Sequence, residues 1–363
     1  MGWAGIGEQE CLQIDASQGW VPFENKNVTW RREGFSRVRF NSFGMQDREY
    51  RLAKPPGTLR IAIIGDSNVE ALQVDRKENF CSLLESLLNK PEKDTHIEVM
   101  NFGVQAHNLS QTYIRLKALV LKFNPDIVIL PIRPEASHIL PPDLKGDFLS
   151  ARPNFFVGAD GKLIEDHTVR ELWMKTRAAK RMQLTHWFRQ NSRIWGVLST
   201  GCESLCAWWQ NGGLTGNLAN PNELPGLQAG VANDRSQSTN RLDQEWTVTS
   251  EEGEKATRFL WPIADALILA MNKLCMENSC KLVVVRFPGV EGHMDPLESR
   301  LLEETVSTRA IPYLDLTENF HKRLRLNKQK LFYSTHLTPA GHQIVARQLH
   351  SFIVWQNIFE SAK

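Results

Sequence analysis

The chain has 363 residues and a net charge of +2, from 43 Lys and Arg against 41 Asp and Glu. This balance argues against a nucleic-acid-binding protein and against an acidic tail. No stretch reaches the roughly 18 uncharged apolar residues of a membrane span, because the most apolar helix candidate, 260–271, is shorter and carries Asp265. The first eight residues lack the basic and apolar regions of a signal peptide, so we expect a soluble chain, cytoplasmic or exported after loss of a leader.

Cysteine usage gives no sign of a metal site or a disulfide framework. The six cysteines stand at positions 11, 81, 202, 206, 275 and 280. Cys202 and Cys206 are four apart, with no Cys or His partner at zinc-finger spacing. We therefore expect free, mostly buried thiols, no metal and no cofactor.

The predicted elements begin after a polar and aromatic N-terminal arm, 1–58, which has no long periodic helix and which we expect to pack on a sheet. Five apolar runs predict buried strands, and helical patterns such as 80–88 and 109–121 separate them. The runs are 59–64, 96–101, 126–132, 282–287 and 311–316. This alternation predicts an α/β fold, a doubly wound, flavodoxin-like, five-stranded parallel sheet with right-handed crossovers, spanning 59–357.

About 150 residues separate the third and fourth strands, far more than a crossover needs, so the sequence predicts an insertion at about 141–255. Its first part, 170–209, is basic and holds five of the eleven tryptophans, whereas 211–245 resembles a flexible loop. Two interpretations stay open for 170–209. Its tryptophans bury against the sheet, or the segment covers the site, stacks on sugars or contacts a membrane surface.

The first strand ends in Gly65-Asp66-Ser67, which places Ser67 at a strand's carboxyl end and a helix's N-terminus, where open α/β sheets bind ligands. The backbone N–H groups and the helix dipole there favour developing negative charge. The simpler interpretation is an ordinary helix N-cap. Far along the chain, His336 precedes Leu-Thr-Pro-Ala-Gly at the start of another predicted helix.

Four blocks in this order resemble the SGNH (GDSL-type) hydrolase family. They are Gly65-Asp66-Ser67 with Glu70, Asn101-Phe102-Gly103-Val104, the strand after Pro125, and His336 with Pro339 and Gly341. Residues 40–59 also resemble the lead-in of a bacterial branch of that family. The resemblance implies a serine esterase or acyltransferase with Ser67 as nucleophile, His336 as base, and the N–H groups of Ser67 and Gly103 as oxyanion donors. His342, six residues after His336, is expected to be structural.

Two groups that the resemblance requires are missing. No asparagine follows the third strand until Asn154, and Arg133 is the candidate substitute for that oxyanion donor. Tyr333 and Ser334 stand where the family carries the aspartate that orients the histidine. A backbone carbonyl, Asp315 or Glu135 could take its place, although Asp315 also suits the cap of the next helix.

Two functions therefore remain open. One is an ester hydrolase or acyltransferase on O-acylated small molecules or glycans. The other is a catalytically impaired binding or scaffold protein that retains the fold. The oligomeric state is not predicted.

Overall fold

The structure, a computed structural model, describes residues 11–89, 95–133, 151–191, 250–289, 296–326, 330–356 and 358. The chain divides into two compact units. One comprises 1–10 with 180–256, and the other comprises 11–179 with 257–363. The second unit contains the sheet and every group of the candidate site.

The central sheet has five parallel strands, which confirms the predicted fold class. The strands of the described residues are β1 Leu12–Asp15, β2 Gly19–Pro22, β3 Asn27–Trp30, β4 Ser36–Arg39, β5 Thr58–Gly65, β6 His96–Gly103, β7 Ile127–Ile132, β8 Asn154–Val157, β9 Leu163–Asp166, β10 Lys281–Arg286 and β11 Tyr313–Asp315. The sheet order is β11-β10-β7-β5-β6. The first strand, β5, lies between the second and the third, which is the doubly wound arrangement of flavodoxin-like sheets.

Helices cover both faces of this sheet. The helices of the described residues are α1 Ser67–Glu70, α2 Phe80–Leu88, α3 Leu109–Ala118, α4 Thr168–Met174, α5 Arg177–Asn191, α6 Ser250–Glu277, α7 Pro296–Ser307, α8 Thr317–Leu326 and α9 Pro339–Trp355. Alternate residues of each strand point to opposite faces. Accordingly, Ile61 and Ile63 join the apolar cluster with α2 and α9, whereas Ala62 and Ile64 join the cluster with α3, α6 and α7. Burial on both faces explains why the strands are continuous apolar runs.

Helix α6 is longer than the apolar stretch recognised in the sequence. Its part Thr257–Glu277 is long and apolar enough to cross a membrane, by length and composition alone. Leu267, Ile268 and Met271 in this part are fully buried, in the same cluster as strand residues of the sheet. One face of this part therefore packs in the core, and 33% of its most apolar 18-residue stretch is buried.

Residues 11–58 form two antiparallel hairpins, β1–β2 and β3–β4, and an extended lead into the sheet. Met45 and Tyr50 are buried in the core cluster that contains α3 and α6. The buried guanidinium of Arg60 on β5 donates to the carbonyl of Arg51 at 2.7 Å and to that of Leu52 at 2.9 Å. The same side chain donates to Glu98 on β6 at 2.7 Å, so one arginine ties the arm to two strands.

The described part of the predicted insertion begins with the β8–β9 hairpin, which the sequence analysis did not predict. Helices α4 and α5 follow, in the basic segment. Trp173 on α4 is buried and Trp187 on α5 is mostly exposed. The segment 211–245 and the other three tryptophans of 170–209 lie outside the described residues, so contact of 170–209 with a membrane surface stays a prediction.

Candidate active site

The turn after β5 places Ser67 at the start of a very short helix. The Asp66 carboxylate caps α1 by accepting the N–H of Asn68 at 2.9 Å, so the predicted cap is present and is provided by Asp66. Ser67 is the first helical residue, and its N–H has no acceptor within the helix. Helix α1 has four residues and ends at Ala71, which has a left-handed backbone. A single turn contributes little macrodipole, so the N–H groups matter more here than the dipole we expected.

His336 lies directly against Ser67, although 269 residues separate them in sequence. A hydrogen bond of 2.8 Å joins its Nε2 to the Ser67 Oγ. The histidine sits in a tight loop before α9, where the N–H of Tyr333 donates to the His336 carbonyl at 2.8 Å. Thr338 then caps α9 through its side chain. Local backbone structure therefore fixes the loop that carries His336.

An acid that the sequence analysis did not identify contacts the other ring nitrogen. The Glu33 Oε2 is hydrogen-bonded to the His336 Nδ1. Glu33 belongs to the β3–β4 hairpin loop of the N-terminal arm, 303 residues before the histidine. Its position favours the tautomer with the proton on Nδ1, which leaves Nε2 free to accept from serine. Ser67, His336 and Glu33 thus form a continuous hydrogen-bonded chain.

The Glu33 carboxylate is fixed by the loop that carries the histidine. Its Oε1 accepts the N–H of Thr335 at 2.8 Å and that of Ser334 at 3.1 Å. Burial raises the pKa of Glu33, but the hydrogen bond and charge of His336 and these two N–H groups together hold it below its usual value. The carboxylate is therefore anionic at neutral pH, as stabilisation of a protonated histidine requires.

Gly34 lets the hairpin loop that carries Glu33 lie close to Gln73 and to the histidine loop. Gly34 has φ +64°, in the left-handed region that favours glycine. A Cβ built there would lie 2.6 Å from the Gln73 carbonyl oxygen and 2.8 Å from the Tyr333 ring. At the end of the loop, the buried Ser36 hydroxyl donates to the Leu72 carbonyl. The β3–β4 hairpin therefore packs between the segment after α1, which includes Leu72 and Gln73, and the loop that carries His336.

Asp315, one of the two acids that the sequence suggested, has other partners in the structure. Asp315 accepts the N–H of Thr317 at 2.7 Å, as the cap of α8, and pairs with Arg286 at 2.9 Å. The His336 Nδ1 contacts Glu33 instead. Glu135, the other candidate, lies outside the described residues. Ser334, which stands where the family carries its aspartate, donates to Glu33, so the carboxylate reaches the histidine from another part of the chain.

Gly103 has a structural role that the sequence did not predict. A Cβ there would lie 2.2 Å from the Glu70 nitrogen, so glycine is required for α1 to pack on β6. Its N–H donates to the Asn101 Oδ1 at 3.0 Å. The proposed oxyanion donor therefore already has an acceptor within its own strand.

Glu70 joins the end of α1 to the turn after β6. Its Oε2 accepts the N–H of Gln105 at 2.9 Å. Complete burial raises the pKa of Glu70 to about 8 despite that hydrogen bond, so it is largely protonated at neutral pH. The residue thus positions the nucleophile's helix without adding a negative charge.

Arg133, the candidate substitute for the missing asparagine, is bound to the nucleophile's turn. Its Nε donates to the Asp66 Oδ2 at 2.9 Å, and both side chains are mostly buried. This ion pair joins the ends of β5 and β7 beside Ser67. A role of Arg133 as oxyanion donor stays a prediction.

His342 is separate from this chain of hydrogen bonds. It is fully buried and stacks on Phe80, whose N–H donates to its Nδ1 at 3.2 Å. Burial lowers the pKa of His342 to about 3. It is therefore a neutral core histidine at physiological pH, in line with the structural role expected for it.

Little in the sequence points to Glu33. It stands in Arg31-Arg32-Glu33-Gly34-Phe35, a polar hairpin turn of ordinary composition. The one usable signal is a glycine directly after an acid in a short loop between strands. That signal does not indicate which distant element the acid contacts.

The chain is similar to several solved esterase structures at low sequence identity. No protein-family model matches this chain, and no curated protein matches it. The crystal structure of the acetyl xylan esterase AlAXEase is 13% identical, over 81% of this chain and 98% of that chain, with a TM-score of 0.38. The acetylxylan esterase Axe2 from Geobacillus stearothermophilus is 12% identical, over 81% and 94%, with a TM-score of 0.37.

A two-domain esterase (CEX) active on acetylated mannans is 9% identical. The match covers 83% of this chain and 50% of that chain, with a TM-score of 0.38.

Proposed function

We propose that this protein is a serine-dependent ester hydrolase or acyltransferase for O-acylated substrates, glycan esters included. Ser67 is the nucleophile, His336 the base, and Glu33 the acid that orients the base. One observation carries the proposal. The Ser67 Oγ lies 2.8 Å from the His336 Nε2, while the Nδ1 of the same ring contacts a carboxylate. This is the sequence of groups that activates the nucleophile in a Ser-His-acid triad.

The reaction follows from these contacts. The Ser67 Oγ attacks the ester carbonyl carbon as its proton passes to the His336 Nε2, and Glu33 stabilises the imidazolium. The C–O bond to the alcohol then breaks, the leaving oxygen takes the proton from His336, and the acyl group remains on Ser67. Water or an acceptor hydroxyl next attacks the acyl-enzyme, with His336 accepting its proton and returning it to Ser67. Water gives hydrolysis, and an acceptor hydroxyl gives transfer.

The oxyanion site is the weaker part of the machinery. The Ser67 N–H at the start of α1 is the candidate donor. The Gly103 N–H is bonded to Asn101, and the family's asparagine is absent. Loss of one such donor typically costs about 2.7–4 kcal/mol of transition-state stabilisation. We therefore expect faster turnover of activated esters than of ordinary ones.

The direct test is covalent labelling of the serine. The protein is incubated with a fluorophosphonate probe, and the modified peptide is identified by mass spectrometry. Ser67 should carry the label, and Ser67→Ala should abolish both labelling and p-nitrophenyl ester hydrolysis. Ser86→Ala is the matched control, since Ser86 is exposed on α2 and its hydroxyl donates only within that helix, to Ser82. Equal turnover in the parent and Ser67→Ala proteins would refute the proposal.

A second candidate is a non-catalytic binding or scaffold protein. The observation that favours it is the engaged Gly103 N–H together with the absent asparagine. Such a protein would show neither labelling at Ser67 nor ester turnover while remaining folded. It would still bind an O-acylated ligand, with equal affinity in the parent and in Ser67→Ala.

A further inference from the structure

A cavity of about 50 Å³ lies beside the nucleophile's turn. Gly65 and Asp66, which directly precede Ser67, form part of its wall. The end of β7 and one face of α6 form most of the remainder, through Leu130, Ile132, Leu260, Trp261, Ala264 and Ile268. The cavity therefore lies against the two residues that precede Ser67 and continues between the sheet and α6.

The chemistry of the walls indicates an apolar occupant. Leu130, Leu260, Ala264 and Ile268 are all buried and carry no polar side-chain atoms. The exposed wall is mostly apolar, but polar residues also line it. They are Asp66 and Arg133, which form an ion pair, and His107, Asn108, Thr112, Thr257 and Glu298. An apolar cavity of this kind favours hydrocarbon over water. An occupant with a polar head at Ser67 and an apolar tail fits this distribution.

The size limits the length of that tail. One water molecule needs about 10–15 Å³ of cavity volume accessible to a water-sized sphere, so a cavity of about 50 Å³ holds roughly four groups of that size. Four groups of that size correspond to the carbons of a butyryl group. An acetyl group would fill only part of this volume, and the carbons of an octanoyl chain beyond about the fourth would extend out of it.

We propose that this cavity is the acyl-chain pocket of the enzyme and selects esters of short linear acids near butyrate in length. The inference rests on the proposed esterase function and adds the class of acyl group. Ala264 and Ile268 set its depth, because both are buried on α6. Trp261, on the same helix, is half-buried and contributes a further wall.

The test is the rate as a function of acyl-chain length. We expect kcat/KM to rise roughly tenfold from p-nitrophenyl acetate to the butyrate ester, since two methylenes at about 0.8 kcal/mol each are buried. It should fall again at the octanoate. A monotonic increase through octanoate, or no preference, would overturn the pocket while leaving the esterase function intact.

Two variants examine the cavity itself. Ala264→Leu fills the space and should reduce the butyrate-to-acetate ratio to near one. Ala266→Leu is the matched control, because it makes the same change on the same helix outside the cavity lining and should preserve the ratio. Trp261→Ala should shift the optimum to a longer chain, and its half-buried side chain makes folding less dependent on it. An unchanged ratio in folded Ala264→Leu refutes the assignment.

A binding measurement separates failure of this inference from failure of the proposed function. Butyramide, a neutral analogue, is titrated into Ser67→Ala and followed by saturation-transfer NMR. Binding that Ala264→Leu abolishes and Ala266→Leu retains would support the pocket even if no ester were turned over. Absence of butyramide binding to Ser67→Ala would overturn the pocket, whereas absence of Ser67 labelling in the parent would overturn the catalytic function.

Discussion

Replacement of Glu33 by glutamine removes the charge facing His336 and keeps the length of the side chain. The glutamine Oε1 can still accept the N–H groups of Ser334 and Thr335. Its amide nitrogen then faces the His336 Nδ1, so two donors would meet unless the ring proton moves to Nε2. A proton on Nε2 prevents that atom from accepting the proton of Ser67. The variant should therefore hold the base in its inactive tautomer.

The magnitude follows from serine enzymes of the same design. Loss of the acid in a triad lowers kcat by about 10⁴, or roughly 5.5 kcal/mol. The His336 and Glu33 side chains are 21% and 13% exposed, so water can partly replace the lost contact. We therefore expect kcat/KM to fall by about 10² to 10⁴, with only a small change in KM. Glu33→Asp keeps the charge on a shorter side chain and should lose less.

The assay is hydrolysis of p-nitrophenyl butyrate, with circular dichroism to establish that each variant is folded. Glu24→Gln is the matched control, because Glu24 is an exposed glutamate on the same arm. It should retain the activity of the parent. Equal activity in folded Glu33→Gln and in the parent would show that another group orients His336 and would refute the triad.

Three further predictions concern the site's support and the core. Gly34→Ala should lower kcat at least tenfold, because its Cβ would contact the histidine loop. Gly57→Ala is the matched control and should leave kcat unchanged. The two glycines have similar left-handed φ values, +64° and +69°, but a Cβ at Gly57 meets nothing within 4 Å. His342→Asn should reduce the loss of stability between pH 7 and pH 5 by about 2 kcal/mol in urea titrations. The folded His342, with a pKa of about 3, does not take the proton that the unfolded chain binds below pH 6.5. The parent is therefore destabilised as pH falls. The same pH dependence of stability in the variant and in the parent would contradict this. Arg60→Met should lower the free energy of unfolding by about 3–5 kcal/mol, because it leaves a buried carboxylate with less compensation, and Arg60→Met/Glu98→Leu should recover part of that loss.

The sequence by itself determined the sheet and two of the three proposed catalytic residues. Buried parallel strands need apolar side chains on both faces, so each strand appears as a short apolar run. The turn after β5 and the loop before α9 are local structures, whose capping and turn residues are adjacent in the chain. The blocks around Ser67 and His336 that carry the resemblance to SGNH hydrolases could therefore be found in the sequence.

Tertiary structure decided the acid. Glu33 and His336 are 303 residues apart. Their contact depends on how the β3–β4 hairpin is seated against the loop after α1 and the histidine loop. Gly34 fits against Gln73 and Tyr333 because no Cβ stands where those residues would be less than 3 Å away. A periodic pattern in the sequence does not predict a distance of this kind.

The same distinction applies to Gly103 and Asp315. The sequence suggested an oxyanion donor for the glycine, and either an orienting acid or a helix cap for the aspartate. The choice depends on which atoms occupy the adjacent space. Gly103 packs against the Glu70 backbone, and Asp315 caps α8 and pairs with Arg286. Residue type and spacing limit the roles a side chain can take, whereas its neighbours in the folded chain select one of them, because hydrogen bonds and close packing act over only a few ångströms.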